Sequence, residues 1–192
     1  MKKFLAVLLS ACVLAGSAIA FSACGDGRET LTVYTNAAFA PWEYLNEYGE
    51  VAGVDVDIAR ELGDILGYNV EIRDVSFGSI FTNVQNDEMS IGAAGITITE
   101  DRLASGIFSI EYATSTQYAI IPESMNTAEN KNGDKLKMSA LAGKRIGTQE
   151  STTGNILISD AVNGTEDEET GEHVKGELEG TGATVVDYRN GI

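Results

Sequence analysis

The spacing of hydrophobic residues along the chain predicts alternating strands and helices. Residues 31–35 (Leu-Thr-Val-Tyr-Thr) form a β-rich run. After Gly53, Ile58, Leu62, Ile65 and Leu66 recur at i, i+4, i+7 and i+8, the period of an amphipathic helix. We expect Asp55 to cap the start of this helix and Gly67 to end it.

The same rhythm continues to residue 98. Residues 69–75 alternate in polarity like a strand, residues 79–86 have helical spacing, and residues 91–98 form an apolar strand that contains glycine. This β-α-β-α-β order predicts an α/β domain with a largely parallel sheet. Ligands of such domains collect at the carboxyl ends of the strands.

The second half of the chain predicts a further unit. Residues 114–121 form an extended run that we expect to cross into another lobe, and Pro122 opens a polar loop. Strands are expected within residues 141–147 and at 184–188. Residues 163–182 are rich in Gly, Glu and Thr and predict a solvated loop or a hairpin insertion. Because Ile192 falls where another helix should begin, we expect a chain that stops before its second lobe is complete.

The first residues have the order of an export signal. Lys2 and Lys3 precede an apolar stretch that runs from residue 4 to 21 and then meets small residues. Residues 21–25 (Phe-Ser-Ala-Cys-Gly) resemble a bacterial lipobox, so we expect removal of residues 1–23 and lipidation of Cys24, with residues 24–30 as a tether. Two alternatives remain: a retained anchor helix, and ordinary signal cleavage that leaves Cys24 as a free thiol.

The charge of the chain excludes several partners. The sequence has 29 Asp and Glu residues against 13 Lys and Arg, which gives a formal net charge of −16. Nucleic acids and anionic membrane surfaces both need clustered basic residues, so neither is an expected partner. The acidic run of residues 166–169 lacks an ordered ligand loop, and we expect no metal and no cofactor. His173, within the same insertion, is expected at the surface.

Residues 95–102 (Gly-Ile-Thr-Ile-Thr-Glu-Asp-Arg) carry the most informative candidate chemistry. They end a predicted strand with small residues and place Arg102 where a helix should start. A guanidinium binds a carboxylate through two parallel hydrogen bonds, and the N–H groups of a helix start add further donors. The alternative is a turn capped by Thr99 with Arg102 in solvent.

Five motifs in order resemble the polar amino-acid-binding proteins of bacterial ABC importers. They are residues 36–44 (Asn-Ala-Ala-Phe-Ala-Pro-Trp-Glu-Tyr), 53–59 (Gly-Val-Asp-Val-Asp-Ile-Ala), 95–102, Phe108-Ser109 with Tyr112, and 147–154 (Gly-Thr-Gln-Glu-Ser-Thr-Thr-Gly). The resemblance implies an α/β, two-lobed periplasmic-binding-protein type II fold, here with an incomplete second lobe. Lobe 1 would span 31–117, and the hinge crossing with partial lobe 2 would span 118–192.

The resemblance also implies how a free amino acid would be held. Arg102 would bind the ligand α-carboxylate, helped by the N–H groups of Thr97 and Thr153, while the Gly95 carbonyl and the Thr97 hydroxyl would accept from the α-ammonium. Ser151 departs from the glycine usual in the second-lobe loop. The implied ligand-binding residues are Asn36, Phe39, Phe77, Ala94, Gly95, Thr97, Arg102, Gln149, Thr152 and Thr153.

The function expected on this basis is capture of one amino acid and its delivery to an ABC importer permease. We expect a monomer, held by its lipid anchor on the outer face of the cytoplasmic membrane. The predicted site is aromatic-walled and has no charge apart from Arg102, which favours a neutral polar ligand, glutamine-like or cystine-like. Two other functions stay open: a dehydratase-like enzyme on the same fold, and an extracellular amino-acid sensor domain.

Overall fold

The computed structural model describes residues 27–190 of the 192-residue chain. The predicted leader of residues 1–23 and the predicted lipidation site Cys24 lie outside the described residues. Within the described residues, no helix is both long enough and apolar enough to cross a membrane.

Twelve strands, four α-helices and three short 3-10 helices (Phe77–Ser79, Glu123–Met125 and Met138–Leu141) make up the regular structure of the described chain. The strands are β1 (Thr30–Thr35), β2 (Ala38–Phe39), β3 (Glu43–Leu45), β4 (Val51–Ala52), β5 (Asn69–Asp74), β6 (Ser90–Gly92), β7 (Lys131–Asn132), β8 (Lys135–Leu136), β9 (Arg145–Gln149), β10 (Thr165–Glu166), β11 (His173–Val174) and β12 (Thr184–Tyr188). The helices are α1 (Val54–Leu66), α2 (Ile80–Asn86), α3 (Glu100–Ser105) and α4 (Thr153–Asn163).

The first lobe, residues 30–105, is built on the parallel sheet β5-β1-β6. The central strand β1 is buried along almost its whole length, as expected for a strand covered on both faces. On one face, Leu31 and Val33 pack with Ala59 of α1. On the other face, Tyr34 packs with Ile80 of α2. This arrangement places the carboxyl ends of β1, β5 and β6 at one edge of the sheet, and it confirms the predicted β-α-β-α-β order.

The helix α1 lies where the sequence predicts it, but its inward face and its cap differ from the prediction. The buried positions are Asp55, Val56, Ala59 and Gly63, whereas the predicted apolar positions 58, 62, 65 and 66 are exposed. Small residues face the sheet because the approach is close: a Cβ at Gly63 would lie 2.2 Å from Val70 Cγ2. The buried face of α1 therefore differs from the predicted apolar face: smaller residues lie against the sheet, and the larger apolar side chains are exposed.

The cap of α1 is Gly53, so the prediction of Asp55 as the cap was wrong. Gly53 has φ 135°, and a Cβ there would lie 2.2 Å from the carbonyl oxygen of Trp42. Glycine is therefore required at this position. Asp55 lies in the first turn instead, with its side chain buried. The predicted stop at Gly67 is confirmed by its left-handed conformation, φ 81°.

The chain leaves regular structure between the lobes. The strand predicted for 91–98 ends at Gly92, and residues 106–122 contain neither helix nor strand. Several apolar side chains of this connecting segment are almost fully exposed, including those of Ile107, Tyr118 and Ile120. The extended run predicted at 114–121 therefore crosses between the lobes without pairing to another described strand.

The second lobe, residues 123–190, has the parallel pair β9 and β12 with α4 between them in the chain. Leu141, Ala161, Leu178 and Ala183 form its core. Residues 163–182 contain the short hairpin β10–β11, in agreement with the hairpin form of the prediction. Leu178, inside this stretch, is 1% exposed, so the stretch is not solvated throughout.

Candidate ligand-binding site

Arg102 lies at the start of α3 with its side chain inside the protein. Thr99 is the N-cap of this helix, and its side-chain oxygen accepts from the backbone N–H of Arg102 at 3.3 Å. The predicted cap is therefore correct. The alternative that placed Arg102 in solvent is wrong, because only 8% of the residue is exposed.

The guanidinium of Arg102 joins the two lobes. Nη1 donates to the Thr97 carbonyl at 2.8 Å, and Nη2 donates to the Ser151 carbonyl at 2.9 Å. Nη1 also lies 3.4 Å from Thr153 Oγ1. One fork thus contacts the loop after β6 and the loop after β9, the two segments that the sequence singled out.

Two aromatic rings flank the same cation. The centroids of Phe77 and Phe81 each lie 5.7 Å from Arg102 Cζ, within the range of a cation–π contact. Burial lowers the pKa of the Arg102 guanidinium, since removal from water disfavours the charged form. Phe77 was a predicted site residue, whereas Phe81 was not. Phe81 lies four residues after Phe77 on a helical segment, and this spacing is the sequence signal that could have predicted its place in the site.

Asn36 and Gln149 meet at a second contact between the lobes. Gln149 Nε2 donates to Asn36 Oδ1 at 2.8 Å, and Asn36 Nδ2 donates to the Val75 carbonyl at 2.8 Å. Gln149 Nε2 also donates to the Arg189 carbonyl at 3.3 Å. Two neutral amides that were predicted separately as ligand contacts therefore share one hydrogen bond.

The loop after β6 packs beneath aromatic side chains. A Cβ at Gly95 would lie 3.1 Å from Phe39 Cε1, and Gly95 has φ 54°, so glycine suits the position on both grounds. Ala94 is buried with Phe77 in the core, while the side chain of Thr97 is exposed. The ring of Trp42 contacts Tyr112 edge-on, with centroids 6.2 Å apart.

The second-lobe loop is held by its own hydrogen bonds. Thr152 is the N-cap of α4: its Oγ1 accepts from Asn155 N at 3.2 Å and donates to the Gln149 carbonyl at 2.7 Å. Asn155 Oδ1 accepts from Ser151 N, and Asn155 Nδ2 donates to Asp187 Oδ1 at 2.7 Å. Thr152 thus shapes the loop that presents Ser151 and Thr153.

Ser151 adopts a left-handed conformation, φ 65°, the only such non-glycine residue in the described chain. The sequence departs from the resembled family at this same position. Its backbone is therefore strained. In this conformation the Ser151 carbonyl accepts from Arg102 Nη2 at 2.9 Å.

A cluster of acidic and phenolic side chains, missed by the sequence reasoning, lies behind the Gly95 loop. Asp55 Oδ2 accepts from Gly95 N at 2.7 Å, and Asp55 Oδ1 accepts from Tyr112 Oη at 2.9 Å. Glu43 is 1% exposed and lies beside Asp55, whose backbone N–H donates to the carbonyl of the neighbouring Trp42 at 3.0 Å. Burial first, and then Asp55, raises the pKa of Glu43 to about 9 and moves the pKa of Tyr112 above its ordinary value.

The structure brings most of the predicted site residues to one edge of the first-lobe sheet and the facing loop. The residues joined by hydrogen bonds, close packing or a cation–π contact are Asn36, Phe39, Phe77, Gly95, Thr97, Arg102, Gln149 and Thr153. Ala94 and Thr152 support the loops through packing and capping. Among the residues described, no group of His, Cys, Asp or Glu is arranged to hold a metal ion.

The chain belongs to the bacterial extracellular solute-binding proteins, family 3. The model of this family matches residues 31–168, well over half of the sequence. The match covers the first lobe, the connecting segment and the second-lobe loop, which are the parts that form the site. A search of curated protein sequences found no match.

Solved structures of similar proteins have the same fold. An ancestral arginine-binding protein bound to arginine is 26% identical, with a TM-score of 0.67 over 85% of this chain and 62% of that chain. An arginine-bound ArgBP from T. maritima is 24% identical, with a TM-score of 0.57 over 84% of this chain and 64% of that one. The ancestral amino acid-binding protein AncCDT-1, described as a precursor of cyclohexadienyl dehydratase, is 22% identical with a TM-score of 0.63.

These matches confirm the predicted α/β fold with two lobes. The chain spans 62% of the length of the ancestral arginine-binding protein and 64% of the length of ArgBP from T. maritima.

Proposed function

We propose that this protein binds a free amino acid between its lobes and delivers it to an ABC importer. The observation that carries the proposal is the buried guanidinium of Arg102, whose two terminal nitrogens donate to carbonyl oxygens of both lobes. A ligand carboxylate offers two oxygens in the plane that such a fork requires, and it accepts more strongly than a peptide carbonyl. Binding at this position would connect the lobes through the ligand.

The chemistry around Arg102 favours a neutral polar amino acid. Asn36 and Gln149 supply amide donors and acceptors without net charge, and the aromatic rings of Phe77 and Phe81 flank the cation. A charged ligand side chain would need a partner of opposite charge to offset its desolvation. The solved relatives include ancestral arginine-binding proteins with arginine and with glutamine bound. We propose that glutamine is a closer model than arginine for the ligand of this chain.

The cellular setting belongs to the same proposal. Lys2, Lys3 and the apolar stretch before Cys24 support export and lipid anchoring at the outer face of the cytoplasmic membrane. Two acyl chains on Cys24 would keep the protein at the membrane beside its permease, where we propose that it acts as a monomer. Labelling of cells with a radioactive fatty acid tests the anchor, and loss of the label in the Cys24→Ala variant is expected.

Calorimetric titration of the full-length protein against the twenty amino acids tests the proposed function. We expect micromolar binding of glutamine or of another neutral polar amino acid. Arg102→Met should weaken this binding at least ~100-fold, because a bidentate charge-assisted pair is lost. Arg60→Met removes an exposed arginine from α1 and serves as the matched control. Absence of binding for all twenty amino acids would refute the proposal.

A dehydratase-like activity is the second candidate, and the similarity in fold to AncCDT-1 is the observation in its favour. General acid–base chemistry needs a titratable group within reach of the substrate. Glu43 has a raised pKa, but it is 1% exposed behind the Gly95 loop. Incubation with prephenate or arogenate distinguishes the candidates, and we expect no product.

A further inference from the structure

Asp55 links two segments that are far apart in the chain. One of its oxygens accepts from the backbone N–H of Gly95 at 2.7 Å, and the other accepts from the Tyr112 hydroxyl at 2.9 Å. Gly95 belongs to the loop that leads to Thr97 and Arg102, whereas Tyr112 belongs to the segment that connects the lobes. A single buried carboxylate therefore fixes the loop of the site relative to the connecting segment.

Glu43 adds a second carboxyl group to the same enclosed space. It is 1% exposed, its Oε2 has no hydrogen-bond partner, and the backbone N–H of Asp55 donates to the carbonyl of the preceding residue, Trp42, at 3.0 Å. Two ionised carboxylates in contact cannot share a buried space without a cation, so one of them retains a proton. Both side-chain oxygens of Asp55 already accept hydrogen bonds, whereas Glu43 Oε2 has no partner. The proton therefore resides on Glu43.

Within residues 27–190, the elements that pack around Glu43 supply no compensating cation. Strands β2 and β4, which flank Glu43 in the sheet, contain only Ala, Phe and Val, and the loop of residues 93–98 has no titratable side chain. On α1, Asp57 is exposed and pairs with Arg60 at 3.8 Å, outside this space. Asp55 acts on Glu43, and both carboxyl groups act on Tyr112.

We propose that Glu43 and Asp55 form one proton-sharing carboxyl pair that positions the Gly95 loop for ligand binding. The pair acts through the loop and does not touch the ligand, so both are positioning residues. Protonated Glu43 donates to Asp55, and Asp55 in turn orients the Gly95 backbone and the Tyr112 hydroxyl. This inference rests on the proposed function only for the ligand; the pair itself is a property of the first lobe.

The shared proton gives the pair a distinctive dependence on pH. The Glu43 carboxyl ordinarily has a pKa of 4.5, and in the folded protein the pKa is about 9. Between these values the folded state binds one proton more than the unfolded state, so stability falls as pH rises through that window. An exposed or ion-paired glutamate would not contribute such a slope.

Urea unfolding of the full-length protein and of Glu43→Gln tests the pair. Glutamine retains the shape and the donor but cannot lose a proton. We expect the stability of the wild type, relative to Glu43→Gln, to fall steadily from about pH 5 to about pH 8. Glu47→Gln, at an exposed position two residues beyond Leu45, is the matched control and should run parallel to the wild type. Parallel profiles for wild type and Glu43→Gln would overturn the proposal.

Infrared spectroscopy of the wild type at neutral pH provides a measurement that does not depend on any variant folding. A protonated, buried carboxylic acid has a carbonyl stretching band separate from that of carboxylates. We expect one such band at neutral pH. Its absence would overturn the proposal.

Titration with the amino acid that the wild type binds tests the positioning role. Asp55→Asn should weaken binding at least ~10-fold, because one of its two acceptor oxygens becomes an amide donor. Asp57→Asn is the control on the same helix.

Glu43→Leu, which retains volume without a donor, should bind at least ~5-fold more weakly than Glu43→Gln. Equal affinities for Leu and Gln variants would reduce Glu43 to a packing role and overturn the proposal.

The two failures can be told apart. If the wild type binds no amino acid, the proposed function is wrong, while the unfolding profiles and the infrared band still decide whether Glu43 and Asp55 share a proton.

Discussion

Two buried charged centres of this protein are satisfied in different ways. The carboxyl pair, Glu43 and Asp55, is enclosed by the first lobe and the start of the connecting segment. Arg102 is enclosed by both lobes, with one carbonyl partner from each. The first centre is held by contacts within the first lobe and with the connecting segment, whereas the second depends on how the lobes meet.

This difference distinguishes a buried charge that stabilises the fold, that of Asp55, from a buried charge that serves ligand binding, that of Arg102. Asp55 is 1% exposed and accepts from two donors, so loss of its carboxylate leaves the Gly95 N–H and the Tyr112 hydroxyl without this acceptor. The carbonyl partners of Arg102 belong to Thr97 and Ser151, two residues exposed to solvent, so water or a ligand oxygen can replace them. A site that opens and closes needs contacts of the second kind.

Removal of the Asp55 carboxylate should have the largest effect on stability. Asp55→Ala leaves the Gly95 N–H and the Tyr112 hydroxyl without an acceptor, and we expect the free energy of unfolding to fall by about 3 kcal/mol. Urea denaturation measures this, with Asp57→Ala as a control that should change it by less than about 0.5 kcal/mol. A small loss for Asp55→Ala would show that this centre is no more structural than Arg102.

Removal of Arg102 should affect stability less. Arg102→Met eliminates a desolvated cation and retains an apolar side chain between Phe77 and Phe81, so we expect a change within about 1 kcal/mol. The same denaturation experiment, with Arg60→Met as control, measures it. A loss as large as that of Asp55→Ala would contradict the contrast between the two centres.

The smallest effect is expected at Ser151. Its left-handed backbone, φ 65°, strains a serine, so Ser151→Gly should raise the free energy of unfolding by about 0.5 kcal/mol after the greater freedom of unfolded glycine is subtracted. Ser105→Gly, at the end of α3, should instead lower it. Thermal unfolding distinguishes the signs. A lower melting temperature for Ser151→Gly would show that the serine side chain, which approaches Gly78, stabilises the contact between the lobes.

Much of the regular structure could be predicted because its signals are local. Strand β5 and the helix α2 begin and end within a residue or two of their predicted bounds, and the strand β12 matches its prediction at both ends. The face of α1 could not be predicted, since the close contact at Gly63 with Val70 depends on a strand that follows the helix. The length of β6 was overestimated for a similar reason: Asp55, forty residues earlier, bonds to Gly95 beyond the end of the strand.

The sequence by itself determined the alternation of strands and helices, the family, and the residue types of the site, including Arg102 and the loop that contains Thr153. These follow from periodicity and from motifs of consecutive residues. Only the tertiary structure decided that Phe81 flanks Arg102, that Asn36 contacts Gln149, and that Glu43 shares a space with Asp55. Burial and charge coupling depend on distances between side chains that are remote in the chain, and no local pattern encodes those distances.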